Sequence, residues 1–270
     1  MKKILVVLVS FVVLMFSVFG LSKSVSADET RDWEDELSKY ILTGKDLDEF
    51  EKEEQAESHI IQKRSIEDSV NYEQNYTELR NSGVLGEDVT FDMYVELATS
   101  TPPTDPVDSE FRNRSKRSIS DLSAGDILVT NGTSWGGITG HAGIYVGNGQ
   151  IMSIAGGGSH PATIHIMEWM YKYNKAGKWT KVYRPATRYR GASAAQWSLN
   201  NYNGKGYSYG ITTNIFGKDP TYCSKIVWQA YWWASAAPQV GGMKKPLIVA
   251  PYDLPDYFDV RATHTQTWKG

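Results

Sequence analysis

The stretch HAGIYVGNGQIMS, residues 141–153, constrains the fold of this chain more than any other. Its two halves flank Asn148-Gly149, the dipeptide most favoured at a two-residue hairpin turn. In an extended strand His141, Gly143 and Tyr145 share one face, and Ala142, Ile144 and Val146 share the other. The apolar set faces a core. Gly143 leaves room beside His141 for a neighbouring group. The turn also decides what lies near His141. A strict two-residue turn pairs Gly147 with Gln150 and points Ser153 away from His141. A three-residue or bulged loop reverses that parity and puts Ser153 on the histidine's side. We expect the second arrangement.

The flanking sequence predicts an α+β domain over residues 119–270. GDILVT and WTKVYRP read as further short strands, and GASAAQWSLNNY and CSKIVWQAYWWASAA as helices. Eight of the nine tryptophans fall in this part. Upstream the character changes. Residues 28–117 hold 24 acidic and 11 basic residues, a net charge of −13, whereas 118–270 carry +7. Such asymmetry predicts two modules, the acidic one lying on the basic one. Residues 28–98 read as a mainly helical acidic segment. Residues 99–118, with three prolines and the basic cluster RNRSKR, read as a linker open to proteolysis. The start, MKKILVVLVSFVVLMFSVFGLSKSVSA, has a basic tip, an apolar run over 4–21 and small residues at 25–27. It reads as a signal peptide over 1–27, although the run is also long enough to span a bilayer. The protein is therefore expected to be secreted or cell-wall associated, and nucleic acid is not an expected partner.

Export changes the meaning of the one cysteine. Structural cysteines of exported proteins come in pairs, so unpaired Cys223 is a candidate reactive thiol. It stands in the first turn of a predicted helix, with Asp219 or Thr221 as cap and Pro220 beside it. The helix end favours a thiolate, yet one helix end rarely suffices, and a partner base is required. His141 is the candidate. The five histidines offer no metal-ligand spacing, and AGGGSH lacks the lysine of a phosphate loop, so no metal or cofactor is expected.

These segments together resemble a known family. HAGIYVGNGQIMS resembles the His block of NlpC-type papain-like cysteine peptidases, YCSKIVWQAY their Cys block, and GKGYSYG the lead-in to that cysteine. The His block precedes the Cys block by about 80 residues, and SAGDILVT stands before it. That order resembles the circularly permuted, YiiX-like branch, related to lecithin:retinol acyltransferase-type enzymes. The likeness covers roughly residues 120–260. It implies a permuted papain-like domain, an antiparallel sheet packed on a Cys-bearing helix. It implies Cys223 as nucleophile, His141 as base and Ser153 at the position that orients the base. His160, His165 and Glu168 are alternative orienters, since serine is short and neutral. Tyr207 matches the lead-in tyrosine, and backbone donors at Cys223 or Ser224 are expected to hold an oxyanion. The implied activity is hydrolysis of an amide bond in cell-wall peptide. A lipid ester or thioester hydrolase, an acyltransferase, or a peptide-binding module with the same cleft are the alternatives. The acidic segment 28–117 is expected to act as an inhibitory pro-region docked by charge.

Overall fold

The computed structural model describes residues 27–64, 71–112, 121–135, 138–234 and 242–270. The leader read over residues 1–27, apart from Ala27, and most of RNRSKR lie outside them. Among the described residues no helix is long and apolar enough to cross a membrane.

The fold is α+β. Six strands, β1 (Ile127–Trp135), β2 (Ile138–Gly147), β3 (Gln150–Ser153), β4 (Ala162–His165), β5 (Trp179–Arg184) and β6 (Thr263–Lys269), form one antiparallel sheet. Their order is β4-β3-β2-β1-β5-β6. Both faces of the sheet are covered. On one lie α7 (Gly191–Tyr202) and α8 (Cys223–Ala234), where Ile127, Val129, Ala142 and Ile144 meet Ile226, Val227 and Ala230. On the other lie α6 (Ile166–Tyr173) and α1 (Ala27–Ser38), where Leu128, Tyr145 and Ile151 meet Trp169, Tyr173 and Leu37. The alternation read in residues 141–146 therefore separates two cores, not a core from solvent.

The acidic half is helical, with α2 (Gly44–Arg64), α3 (Tyr72–Asn81) and α4 (Phe91–Ala98) following α1. Asn71 and Thr90 cap α3 and α4 by accepting the Gln74 and Met93 N–H groups. These elements share the core of the sheet. Leu79, Leu85, Val89, Tyr94 and Leu97 are buried in the same cluster as Cys223 and Ile226. Backbone bonds from Gly86 to Ile211 and from Ile211 to Val84, both 2.7 Å, join the halves. Residues 40–42 pair with the outer side of β6 and close that sheet edge.

Residues 99–112, the described part of the expected linker, lie along β5 and β6 and end in the short helix α5 (Ser109–Arg112). Polar groups hold them there. Asp105 accepts from the Tyr183 hydroxyl at 3.2 Å and from Arg261 at 2.5 Å, and its carbonyl is 2.8 Å from His264 Nδ1. The Val107 N–H donates to Glu51, and that of Asp108 to the His264 carbonyl. Lys181, fully buried, pairs with Glu54 at 2.6 Å and with the Pro103 carbonyl. Prolines and threonines suggested an open tether. The buried partners on β5 and β6 are what fix the segment instead.

Candidate active site

The site lies where β2 outruns β3. Asn148 and Gly149 form the expected two-residue turn, both with positive φ (52° and 69°), as a type I′ turn requires. Gly147 pairs with Gln150, but Tyr145 pairs with Ile151 and Ile144 with Met152, so one residue, Val146, is bulged out. The bulge, not a longer loop, reverses the parity. Ser153 turns onto the His141 face, and its Oγ is 3.1 Å from His141 Nε2.

The same hydroxyl donates to the Ala142 carbonyl at 2.7 Å. Its single proton is thereby used, so it accepts from His141, and Nε2 carries the hydrogen. That tautomer leaves Nδ1 as the basic nitrogen, and Nδ1 has no hydrogen-bond partner within the described residues. The imidazole is 4.5 Å from the Tyr173 ring and stacks at 5.2 Å on Trp169. Trp169 is itself held by an indole bond to Thr180 at 3.0 Å. Gly143 is needed for this approach. A Cβ there would stand 2.5 Å from Ile151 Cγ2 and 3.0 Å from Trp169.

Cys223 is the first residue of α8, and the amides at its position are the free donors of a helix start. The expected caps do not cap. Asp219 accepts from the Ser208 N–H and hydroxyl at 2.8 Å, and Tyr222 supplies the carbonyl that accepts from Ile226. The thiol lies within hydrogen-bonding reach of the Ala142, Ser224 and Cys223 N–H groups, while the Ser224 hydroxyl gives its proton to the Val249 carbonyl at 2.6 Å. The Ala142 amide is the peptide group that follows His141, so the sulfur sits directly against the histidine's strand. β3 ends at Ser153, which leaves the Ala142 N–H and C=O without a ladder partner on that side. The carbonyl takes Ser153, and the N–H faces the thiol. Tyr173 and Tyr209 both stand close enough for a thiolate at Cys223 to oppose ionisation of their phenols.

Burial dominates the electrostatics. It pushes His141 down to about 3, with Lys172 adding a smaller effect in the same direction. It also raises the Cys223 thiol, against the lowering by the surrounding donors. Both groups are neutral at rest. The sulfur borders a small cavity of about 20 Å³ walled by Leu97, Ile138, Tyr209, Tyr222 and Ile248. Among the described residues no charged side chain lines it.

The other expected residues lie elsewhere. His160 bonds the Tyr207 carbonyl at 2.9 Å and is exposed. His165 accepts the Met167 N–H at the start of α6 and meets Trp33 edge-on at 5.2 Å. Glu168 pairs with Lys172 at 2.6 Å on the surface. None is joined to His141. Tyr207 packs edge-on against Tyr202 at 5.8 Å, and Tyr209, two residues on, lines the thiol cavity instead. Sequence reasoning missed Tyr209, Tyr173 and Leu97. The i, i+4 pair Trp169/Tyr173 is a legible aromatic stripe, but nothing in it marks a histidine as its partner.

A Bacillus thuringiensis protein described as an "Uncharacterized 30.3 kDa protein" is 39% identical over 145 residues, 51% of this chain. That stretch is 53% of the relative, so the chain spans about half its length. No solved structure matches. A family model described as "Lipoprotein N-acylation protein LnsA-like" matches residues 90–264, from the start of α4 to β6, with His141, Ser153 and Cys223 inside. The match supports the broad group of papain-like and lecithin:retinol acyltransferase-type cysteine hydrolases, not the NlpC-type or YiiX-like branch in particular. With 175 of its 270 residues inside that match, the chain belongs to the LnsA-like lipoprotein N-acylation family.

Proposed function

We propose that the protein is an acyl-transferring cysteine enzyme that acts outside the cytoplasmic membrane. Cys223 takes an acyl group from a lipid ester as a thioester and passes it to an amine or to water. One observation carries this reading. The thiol borders a small apolar cavity walled by Leu97, Ile138 and Ile248, and among the described residues no charged side chain lines it to meet a peptide's ends. The family's description, an N-acylation protein, supports the same chemistry.

The chemistry follows from the neutral pair. His141 Nδ1 takes the thiol proton as sulfur attacks the ester carbonyl. The N–H groups of Cys223 and Ser224 receive the oxyanion. The imidazolium returns its proton to the leaving alkoxide, and the S-acyl enzyme remains. An incoming amine then attacks the thioester, loses its proton to Nδ1, and leaves as the amide while the thiol re-forms. Ser153 fixes the tautomer that leaves Nδ1 as the basic nitrogen.

The test is mass spectrometry of the intact protein after incubation with phospholipid vesicles. The expected result is one acyl mass added to the wild type, removed by neutral hydroxylamine and absent from Cys223→Ala. Peptidoglycan digested in parallel, with the fragments identified by mass, covers the amidase alternative. Cell-wall fragments that depend on Cys223, with no acyl adduct, would overturn the proposal.

A further inference from the structure

Five large apolar side chains are strongly exposed among the described residues; two of them, Phe216 at 43% and Trp233 at 50%, are in contact, and a third, Leu247 at 66%, follows Lys245 by two residues. Phe216 meets Trp228, Trp232 and Trp233 edge-on at 5.5, 5.7 and 6.0 Å. Trp228 and Trp232 stack at 4.8 Å beneath it. Lys245 stands over the Trp232 ring at 5.1 Å, and exposed Lys244 precedes it. This loop is rigidly attached. The Trp228 indole donates to the Lys244 carbonyl at 3.1 Å, and the Lys244 N–H donates to Tyr257 at 2.7 Å. Trp232 and Trp233 on a core helix of a monomer are ordinarily packing residues. Here packing explains the buried tryptophans but not the outward ring of Trp233 or the outward Leu247.

From this arrangement we infer that the surface of Phe216, Trp233, Lys244, Lys245 and Leu247 docks the protein onto an anionic phospholipid bilayer. Indole and phenyl rings suit the headgroup boundary, where one side is apolar and the other wet. Lysines there are attracted to anionic lipid, each strengthening association by about fivefold. Leu247 reaches into the acyl region. Two acids, Glu96 and Asp253, stand in a pocket of about 210 Å³ beside Leu247, and Asp253 is close enough to feel the charge of Lys244, so Lys245 carries more of the attraction. That pocket shares Leu97 and Ile248 with the wall of the Cys223 cavity. Docking therefore turns the thiol's apolar wall toward lipid chains. This last link rests on the acyl-transfer proposal, whereas the docking surface itself does not.

The experiment uses the full chain with vesicles of phosphatidylcholine alone or mixed equally with phosphatidylglycerol. The apolar run 4–21 is common to every variant, so the readout is local hydrogen exchange in residues 214–218 and 242–249. Exchange in both segments is expected to slow several-fold on the anionic vesicles relative to the neutral ones, and to recover at high salt. Phe216→Ser with Trp233→Ser, and separately Lys244→Glu with Lys245→Glu, are expected to abolish the slowing while exchange in β2 stays unchanged. Cys223→Ala is expected to keep it, which separates a failure of docking from a failure of the chemistry. Equal exchange on the two vesicle types would overturn the inference. So would slowing that appears without lipid and grows with protein concentration, which would assign the surface to a second copy of the chain.

Discussion

The resting thiol and imidazole of the site are both neutral. His141 titrates at about 3, and the Cys223 thiol lies above its ordinary value of 9.0. Moving the proton from sulfur to nitrogen is then uphill by at least about six pH units, roughly 8 kcal/mol. Even a contact ion pair about 4 Å apart, at an effective dielectric of about 20, would return only about 4 kcal/mol. The neutral pair wins by about 4 kcal/mol, so about one molecule in a thousand carries the thiolate–imidazolium pair. Ser153 is part of the reason. A carboxylate at its place would hold the imidazolium by charge, whereas a hydroxyl only fixes the tautomer. The assay is the pH dependence of Cys223 alkylation by iodoacetamide, which needs no substrate. The logarithm of the rate should rise with a slope approaching one from about pH 7 to 9 and level only below about pH 6, where the rare ion pair takes over. His141→Asn should keep that slope, because the ring does not stabilise a resting thiolate. A plateau between about pH 4 and 8 that disappears in His141→Asn would demonstrate a resting ion pair and refute the reasoning.

Ser153→Ala strands the buried Nε2–H and frees the ring. It should slow S-acylation by about 10- to 100-fold and cost about 1–3 kcal/mol of stability. Ser153→Asn restores an acceptor and should recover part of the rate, and a Ser153→Ala enzyme that acylates at the wild-type rate would remove Ser153 from the site. His141 and His264 both titrate in the folded state below the ordinary 6.5, at about 3 and about 4, chiefly through burial. Their stabilising effect is complete above pH 6.5 and is lost on acidification, by about 2 kcal/mol each at pH 5. Burial raises the Glu54 carboxyl, which works in the opposite sense. Urea midpoints at pH 7 and 5 check this, and a midpoint that does not fall at pH 5 would contradict it. Glu54→Gln leaves Lys181 buried without its counter-charge and should cost about 3–5 kcal/mol, whereas Glu54→Gln with Lys181→Met should recover most of that. Equal urea midpoints for the single and double variants would refute the pairing.

What the sequence disclosed and what it withheld divide along a physical line. Local rules carried far. The Asn148-Gly149 turn, the strands around it and the helix from Gly191 to Tyr202 all follow from period and turn chemistry. The bulge at Val146 does not, because nothing in Gly-Ile-Tyr-Val-Gly marks which residue leaves the ladder. Only the need to bury Tyr145 and Ile151 against α6 while Ile144 and Met152 face α8 selects it. The cap of α8 failed for a related reason. Asp219 is a good cap by type, but its carboxylate is taken by Ser208, a contact eleven residues back. Tyr207 and Tyr209 have identical local claims, and only the fold places Tyr209 by the thiol.

The acidic half shows the same division at larger scale, and bears on how its expected inhibitory role is to be tested. Net charge suggested a separable pro-region lying on a basic domain. Charge pairs do join the halves, Lys181 with Glu54 and Arg261 with Asp105. Yet α4 brings Leu97 to the wall of the Cys223 cavity, and the family match begins at α4 itself. Removing residues 28–117 would therefore take away a wall of the site and apolar members of its core along with any inhibitor. Loss of activity in such a fragment would say nothing about inhibition. A discriminating perturbation keeps α4 and alters only the wall: Leu97→Ala. If α4 restricts entry, the smaller side chain should raise the rate of Cys223 acylation by long-chain donors and leave short-chain donors little changed. If α4 is only scaffold, both rates should fall together as the cavity wall loses its packing.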